Sequence, residues 1–166
     1  MSTSNIIIAG FGGQGVMSIG KLLAEGAMIE DKHSSWLPSY GPEMRGGTAN
    51  CHVVISDVPI ISPIVHHPTD LIAMNQPSYE KFKDEVVESG RIFANGILVT
   101  PDEADIKAIS IKGEATRVNM LILGAFVEKT KVLQHETLLK LINKQYQGAS
   151  LEQNLAAYHE GQSLFL

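Results

Sequence analysis

The chain has 166 residues, 44% hydrophobic and 19% charged, which is typical of one globular domain and excludes a disordered chain. Its formal net charge of −5 argues against nucleic acid as a partner. A single cysteine cannot form an internal disulfide or ligate an iron–sulfur cluster, and this content predicts a cytoplasmic protein. Since the longest apolar run, residues 121–127, is far shorter than the roughly 20 residues of a membrane span, and no signal peptide is visible, we expect no membrane association.

A strand, a glycine-rich turn and a helix are predicted at the start of the chain. The β-branched run over residues 5–9 is bounded by glycine and is typical of a buried strand in a parallel sheet. Apolar residues at helical spacing predict a helix over residues 17–30, and its small side chains allow it to pack closely on a sheet. This order is that of the first unit of an α/β fold.

Strands and helices alternate along the rest of the chain. Helices are predicted over residues 77–88 and 119–127. The turn at residues 56–59, followed by Ile60 and Ile61, predicts a hairpin, so that part of the sheet is antiparallel. Other strands are predicted at residues 33–37, 51–56, 71–74, 91–94, 97–100 and 106–110. We therefore expect residues 1–166 to form a single α/β domain with a mixed, mostly parallel, Rossmann-like sheet flanked by helices.

The glycine-rich turn is the first candidate binding element. Its glycines permit a tight turn, and free N–H groups at the start of the following helix favour a phosphate or another anion. The candidate cofactor-binding residues in this turn are Gly10, Gly12, Gly13, Gln14 and Gly15, with Phe11 between the first two. A turn that serves only close packing of strand and helix is the alternative. Dinucleotide binding is disfavoured because Glu30 and Asp31 precede the second strand instead of ending it.

A second candidate loop follows the second predicted strand. Residues 38–47 hold two prolines and three glycines, and they present Glu43 and Arg45 beside Gly46 and Gly47. In a parallel sheet this loop leaves the same carboxyl edge as the glycine turn, where α/β folds bind ligands. We expect Arg45 to hold a phosphate or a carboxylate. The alternative is an exposed Arg45–Glu43 pair on a structural turn.

Other reactive residue types do not combine into a catalytic or metal site. Cys51 and His52 are neighbours on a strand, so their side chains point to opposite faces and cannot act as nucleophile and base. His66 and His67 lack the spacing and the acidic third ligand of a zinc site. No catalytic motif is present, which predicts a binding protein without catalytic residues of its own.

Apolar residues near the end of the chain allow two explanations. The helix predicted over residues 119–127 has almost no polar face, and the chain ends in Leu164, Phe165 and Leu166. Core packing and a subunit interface account equally well for both features.

Several motifs in a fixed order resemble one family. They are residues 10–15, residues 40–47, Ser56-Asp57 with residues 60–63, Asn75-Gln76, Asn119-Met120 with Gly124-Ala125, and residues 154–158 ending at Gly161. Together they resemble the gamma subunit of the 2-oxoacid:ferredoxin (acceptor) oxidoreductases over nearly the whole chain, and the form of residues 40–47 favours the 2-oxoglutarate type.

The resemblance implies an oxidoreductase complex that decarboxylates a 2-oxoacid and releases acyl-CoA. This chain would be a non-catalytic subunit that contributes coenzyme A binding and assembly. Thiamine diphosphate and the iron–sulfur clusters would lie on alpha and beta subunits, with a delta subunit in some complexes, and ferredoxin or flavodoxin would accept the electrons. The glycine turn and Arg45 would then hold the phosphates of coenzyme A.

Two other interpretations stay open. Within the family, both loops could contact only a neighbouring subunit. From a different class, the chain could be an independent nucleotide-binding protein with a degenerate dinucleotide fold. Surface meant for partner subunits also offers the isolated chain a route to a homodimer.

Overall fold

The computed structural model describes residues 2–40 and 48–165, except for the side chain of Tyr40. The strands in these residues are β1 (Thr3–Phe11), β2 (His33–Tyr40), β3 (Thr48–Ser56), β4 (Asp70–Ala73), β5 (Arg91–Asn95) and β6 (Ala108–Ile111). The helices are α1 (Val16–Ile29), α2 (Gln76–Phe82), α3 (Val118–Thr130), α4 (His135–Gln145) and α5 (Gly148–Ser163). A short 3-10 helix, Lys83–Glu85, continues α2.

The strands form one mixed sheet in the order β2-β3-β1-β4-β5-β6. The pairs β1·β4, β4·β5 and β5·β6 are parallel, whereas β3 runs antiparallel to both β1 and β2. Because β1 and β2 both oppose β3, they run in the same direction, and the carboxyl ends of five strands lie at one edge. The predicted class, a mixed and mostly parallel sheet flanked by helices, is confirmed.

Helices cover the two faces of the sheet unequally. One face packs against α1, α3, α4 and α5, and this larger core holds Ile6, Ile8 and Phe93. The other face packs against α2 and the loops around Val65 and Val99. Alternate residues of β1 enter the two cores, as the two-residue period of a strand requires.

The apolar surface of helix α3 is covered by other elements of the same chain. All residues from Met120 to Val127 are buried, mainly between the sheet and α5. Core packing is therefore sufficient to explain this helix. Near the end of the chain, Leu164 stays 42% exposed, so that residue is not part of the core.

Three local predictions are wrong. No hairpin forms at residues 56–61, because Asp57 turns back to donate its N–H to the carbonyl of Ser2, and Ile61 is fully exposed. The antiparallel part of the sheet comes instead from β2 and β3.

Residues 97–100 do not form a strand. The Ile97 N–H donates to Oδ1 of Asn95 at 3.3 Å, and the N–H groups of Leu98 and Val99 donate to the Asn95 carbonyl. These bonds close a turn directly after β5. The helix predicted over residues 77–88 is shorter than expected, since α2 ends at Phe82 and the 3-10 helix ends at Glu85.

No helix in the described part of the chain has both the length and the hydropathy to cross a bilayer.

Candidate functional site

The glycine turn lies at the carboxyl edge of the sheet, between β1 and α1. Gly15 caps α1 with φ 74°, and Gly13 has φ 91°, a left-handed backbone that favours glycine. A Cβ atom added to Gly12 or Gly13 would meet no atom within 4 Å, so the outer side of the turn is open. The sequence-predicted turn therefore places accessible backbone at the start of a 14-residue helix.

Backbone N–H groups of this turn are only partly available to a ligand. The Gln14 N–H donates to the Phe11 carbonyl at 3.2 Å, which removes it from the predicted set of anion donors. The N–H groups of Gly12, Gly13 and Gly15 make no hydrogen bond to any residue within 2–40 and 48–165. With the positive end of the α1 dipole behind them, these three groups suit an anion.

The Gln14 side chain points into the protein and holds the turn in place. Its Oε1 accepts hydrogen bonds from the Phe11 N–H at 2.7 Å and from Nδ2 of Asn75 at 3.2 Å. Its Nε2 donates a hydrogen bond to the Met74 carbonyl at 3.3 Å. Gln14 is thus a support for the turn. Sequence reasoning placed this residue at the site but missed this role.

Further amides connect the turn to the neighbouring strands. Oδ1 of Asn75 caps α2 by accepting the Ser78 N–H at 2.9 Å. Nδ2 of Asn95, at the end of β5, donates to the Met74 carbonyl at 3.1 Å. The carboxyl ends of β1, β4 and β5 are therefore held in one hydrogen-bonded network around the glycine turn.

Two depressions flank the glycine turn. The first, which we call the β3 hollow, has a volume of about 370 Å³ and is lined by Phe11, Gly12, Val16, Met17 and Ala49, among others. The second, the α3 cleft, has a volume of about 420 Å³ and lies between the turn, Asn95 and the start of α3. Both open at the carboxyl edge, where α/β sheets commonly bind ligands.

Glu43, Arg45, Gly46 and Gly47 lie outside the described residues. The strand residues on either side of their loop are described: Tyr40 pairs with Ala49, and Ala49 pairs with Gly10. Thr48 likewise pairs with Phe11. The end of β2 and the start of β3 therefore lie at the same edge of the sheet as the glycine turn.

The carboxylate that would bind a dinucleotide ribose is missing from the end of β2. That strand ends in Pro38, Ser39 and Tyr40, whereas Glu30 and Asp31 follow α1 and precede β2. The neighbour of β1 on this side is also the antiparallel β3 and not a parallel second strand.

Cys51 and His52 lie on opposite faces of β3, as predicted. Burial raises the pKa of the Cys51 thiol to about 12, and its Sγ lies 3.7 Å from the Val16 carbonyl oxygen. Burial, and secondarily the nearby His66, lowers the pKa of His52, whose Nδ1 accepts the Val65 N–H at 2.9 Å. Both side chains have structural contacts. Over residues 2–40 and 48–165, no three His, Cys, Asp or Glu residues are placed to hold a metal ion.

Most residues of the α3 cleft were not among the predicted site residues, and these include Arg117, Asn119, Tyr146 and Asn154. Asn119 and Asn154 both stood in recognised motifs, and Nδ2 of Asn119 lies 3.4 Å from the Gly15 carbonyl. All four come from the helical second half of the chain. Only the packing of α3, α4 and α5 brings them to the glycine turn.

Together, the sheet order and the glycine turn at its carboxyl edge define an α/β domain with a mixed, mostly parallel sheet. A family profile described as pyruvate ferredoxin/flavodoxin oxidoreductase matches residues 5–164, and the chain belongs to this family. The resemblance found from the sequence motifs is therefore confirmed.

Curated relatives divide into short and long proteins. The 2-oxoglutarate synthase subunit KorC of Methanocaldococcus jannaschii is 34% identical over 94% of this chain and 90% of its own length. The ketoisovalerate oxidoreductase subunit VorA of Methanothermobacter thermautotrophicus is 41% identical over 72% of this chain. That match spans only 27% of VorA, so the chain corresponds to about a quarter of this longer relative.

Solved structures show the same fold. The gamma subunit of a keto/oxoacid ferredoxin oxidoreductase from Geobacter sulfurreducens has a TM-score of 0.84 and 28% identity, over 98% of this chain and 96% of that one. A 2-oxoglutarate:ferredoxin oxidoreductase from Magnetococcus marinus, solved with 2-oxoglutarate, coenzyme A and succinyl-CoA bound, has a TM-score of 0.86 and 22% identity. The match covers 99% of this chain and 31% of the Magnetococcus chain.

Proposed function

We propose that residues 1–166 act as the gamma subunit of a multisubunit 2-oxoacid:ferredoxin oxidoreductase, in which this chain binds coenzyme A and contributes to assembly. The observation that carries the proposal is the open glycine turn at the start of α1, in a chain that matches KorC proteins over at least 85% of their length. The bound coenzyme A of the Magnetococcus marinus relative supports the ligand.

The residues of this chain would bind the coenzyme and leave the chemistry to other subunits. The N–H groups of Gly12, Gly13 and Gly15 hold a phosphate at the positive end of the α1 dipole. Arg45, between Glu43 and the glycines Gly46 and Gly47, supplies a charge-assisted bond from the loop at the same edge of the sheet. Gly10 and Gln14 hold the turn in position.

Partner subunits would hold the groups that this chain cannot. Thiamine diphosphate supplies the decarboxylation, and iron–sulfur clusters carry electrons to ferredoxin or flavodoxin. A cysteine-ligated cluster needs four thiolates, and this chain has one cysteine. Binding of coenzyme A by this chain would present its thiol to the acyl group formed on the alpha and beta subunits.

The favoured substrate is 2-oxoglutarate. Four KorC relatives, named for 2-oxoglutarate synthase, are 32% to 34% identical over at least 94% of this chain. A branched-chain 2-oxoacid is the second candidate, because identity to the VorA of Methanothermobacter marburgensis reaches 55% over 83 residues.

Gly12→Ala tests the binding role of the turn. The added Cβ has open space and Gly12 has no left-handed φ, so the variant should fold normally. The methyl group would stand where a phosphate approaches the backbone. In the reconstituted complex we expect the KM for coenzyme A to rise about tenfold, with the KM for the 2-oxoacid unchanged. An unchanged coenzyme A dependence would remove the turn from the binding site.

Arg45→Ala separates coenzyme binding from assembly. We expect a KM for coenzyme A about tenfold higher in a complex of normal composition, since a charge-assisted bond is lost. The control is Lys140→Ala, which removes one cation from an exposed pair on α4. Loss of subunit association with Arg45→Ala would instead assign the loop to an interface.

Copurification distinguishes the proposed subunit from an independent nucleotide-binding protein. Affinity capture of the chain from its native cells should recover the partner subunits, with a CoA-dependent reduction of viologen dye by one of several 2-oxoacids. Capture of an inactive chain alone that is stabilised by NAD or retains flavin would support the independent protein.

A further inference from the structure

The connection between β3 and β4 exposes apolar side chains that the glycine turn does not use. The 13 residues from Asp57 to Thr69 contain no helix or strand, and loops of this length in a compact domain are commonly functional. Ile61 is fully exposed, Ile64 is 49% exposed and Val58 is 38% exposed. We call these three residues the β3–β4 patch. They overlap residues 60–63, a recognised motif to which the glycine turn gives no role.

The loop that carries the β3–β4 patch has no charged residue of its own. Residues 58–69 include no Asp, Glu, Lys or Arg, although these residue types make up 19% of the whole chain. Exposed apolar patches mark interaction sites, and the centres of protein interfaces are depleted of charged side chains. A contact with another protein therefore explains this loop, whereas a small charged ligand does not.

Hydrogen bonds hold the loop in the shape that exposes the patch. The Val65 N–H donates to Nδ1 of His52 at 2.9 Å, and Val65 itself is buried in the smaller core. The Ile64 N–H donates to Oγ of Ser62 at 3.2 Å, and Pro63 between them fixes one backbone angle. A surface that is ordered before binding loses little conformational entropy when a partner docks.

The apolar surface extends from the loop towards β2. His52, beneath the loop, pairs across the sheet with Leu37, which is partly exposed on the last strand of the sheet. The three patch residues alone expose far less than the roughly 800 Å² per partner of a stable interface. Two copies of this chain would also each carry a net charge of −5. A larger partner that covers both the loop and β2 fits this surface better than a second copy.

The longer relatives indicate which polypeptide such a partner is. The match spans 27% of VorA from Methanothermobacter thermautotrophicus and 31% of the Magnetococcus marinus chain, so most of each relative lies outside this domain. In KorC of Methanocaldococcus jannaschii, by contrast, the match spans 90% of the protein. Where the additional polypeptide is a separate chain, a noncovalent interface has to replace the covalent connection.

We propose that the β3–β4 patch, together with Leu37, docks a partner subunit of the same complex. This partner is a folded protein with an apolar contacting surface, and it corresponds to the additional polypeptide of the longer relatives. The inference rests on the proposed function, because it names the surface through which that assembly occurs. It involves neither the glycine turn nor Arg45.

Affinity capture of the tagged full chain from its native cells tests the patch. We expect Ile61→Asp to recover at least about tenfold less of the partner subunits than the parent chain, because a carboxylate would be buried in an apolar contact. The matched control is Ile106→Asp, since Ile106 is 96% exposed but lies between Asp105 and Lys107, and it should recover them normally. Ile61→Leu keeps the apolar surface and should also recover them.

Both Asp variants should fold normally, because each replaces an exposed side chain, and a melting temperature within about 2 °C of the parent chain checks this. Equal recovery of partner subunits by Ile61→Asp and Ile106→Asp would overturn the patch and leave the proposed function intact. A parent chain that recovers no oxidoreductase subunit would overturn the proposed function and the patch with it.

Sedimentation of the isolated chain distinguishes the two possible occupants. A dimer that Ile61→Asp converts to a monomer would assign the patch to a second copy and overturn the proposal. An isolated chain whose mass is unaffected by Ile61→Asp, together with the loss of partner subunits in the capture experiment, supports it.

Discussion

At the scale of single residues, Gly15 is constrained in two independent ways. Its φ of 74° is a backbone that side-chain-bearing residues rarely adopt. A Cβ atom would also overlap the amide of Asn119, coming within 2.8 Å of its Cγ. The start of α1 and the start of α3 can approach each other only because this position carries no side chain.

Gly15→Ala should therefore destabilise the protein, by about 1 to 3 kcal/mol. Gly12→Ala is the matched control, since its Cβ has open space, and we expect a change within about 0.5 kcal/mol. Urea unfolding of the two variants checks this difference. Equal stability of the two variants would show that the turn adapts to a side chain.

Cys51 should be chemically inert in the folded chain. Burial raises its pKa to about 12, so the reactive thiolate is scarce at pH 8, and the side chain is fully buried. We expect a thiol reagent such as DTNB to label native protein at least about a hundredfold more slowly than protein in denaturant. Rapid labelling of the native chain would contradict the burial of this residue.

The candidate site residues were predictable to different degrees at this scale. A run of glycines between a strand and a helix indicates an anion-binding turn through local geometry alone. The inward orientation of Gln14 was not predictable, because its partners Met74 and Asn75 are about 60 residues away along the chain.

At the scale of elements, α3 and α5 pack with their backbones in direct contact at two glycines. A Cβ atom on Gly124 would overlap the Tyr158 carbonyl oxygen, and one on Gly161 would overlap that of Leu121. The same contact buries Tyr158 and brings Asn154 to the α3 cleft. This crossing is therefore part of what forms the cleft.

Gly124→Ala should separate α3 from α5. We expect a loss of about 1 to 3 kcal/mol, because the methyl group meets backbone that cannot rotate away. Glu152→Ala, an exposed change on α5, should have almost no effect. Chemical denaturation measures both. A stable Gly124→Ala chain would mean that the two helices shift to accommodate the methyl group.

Predictions of helices and strands succeeded where a local pattern is sufficient, and they failed where an apolar run forms a loop instead of a strand. β1 and α1 follow directly from a β-branched run and from helical spacing of apolar residues. The apolar residues 60–61 and 97–100 also fit strands, but neither run finds a neighbouring strand to pair with, and Asn95 closes the second one into a turn. Pairing partners are a property of the sheet and not of the segment.

At the scale of the whole molecule, a polar cluster joins three helices away from the carboxyl edge. Oε2 of Glu128, near the end of α3, lies 2.6 Å from Nε2 of His135 and 2.8 Å from Nζ of Lys131. Nδ1 of His135 lies 2.7 Å from the hydroxyl of Tyr158 on α5. These bonds hold α3, α4 and α5 together.

This cluster predicts a pH dependence of stability. Hydrogen bonds from Lys131 and then His135 lower the pKa of Glu128 below its usual 4.5. A lowered pKa stabilises the fold above pH 4.5, and this contribution is lost as the pH falls through the folded-state pKa. The unfolding free energy of the parent chain should fall as the pH is lowered from about 5 to 3, and in Glu128→Gln it should fall less. Urea titrations at a series of pH values measure it, and parallel curves for the parent chain and the variant would exclude this role.

The sequence by itself determined the α/β class, the glycine turn after β1 and the family, because each depends on residues that are neighbours along the chain or on motifs in a fixed order. Tertiary structure alone decided the antiparallel placement of β3, the inward side chain of Gln14 and the α3 cleft. These features depend on contacts between segments far apart in sequence, such as Gly15 with Asn119, and no local periodicity specifies them.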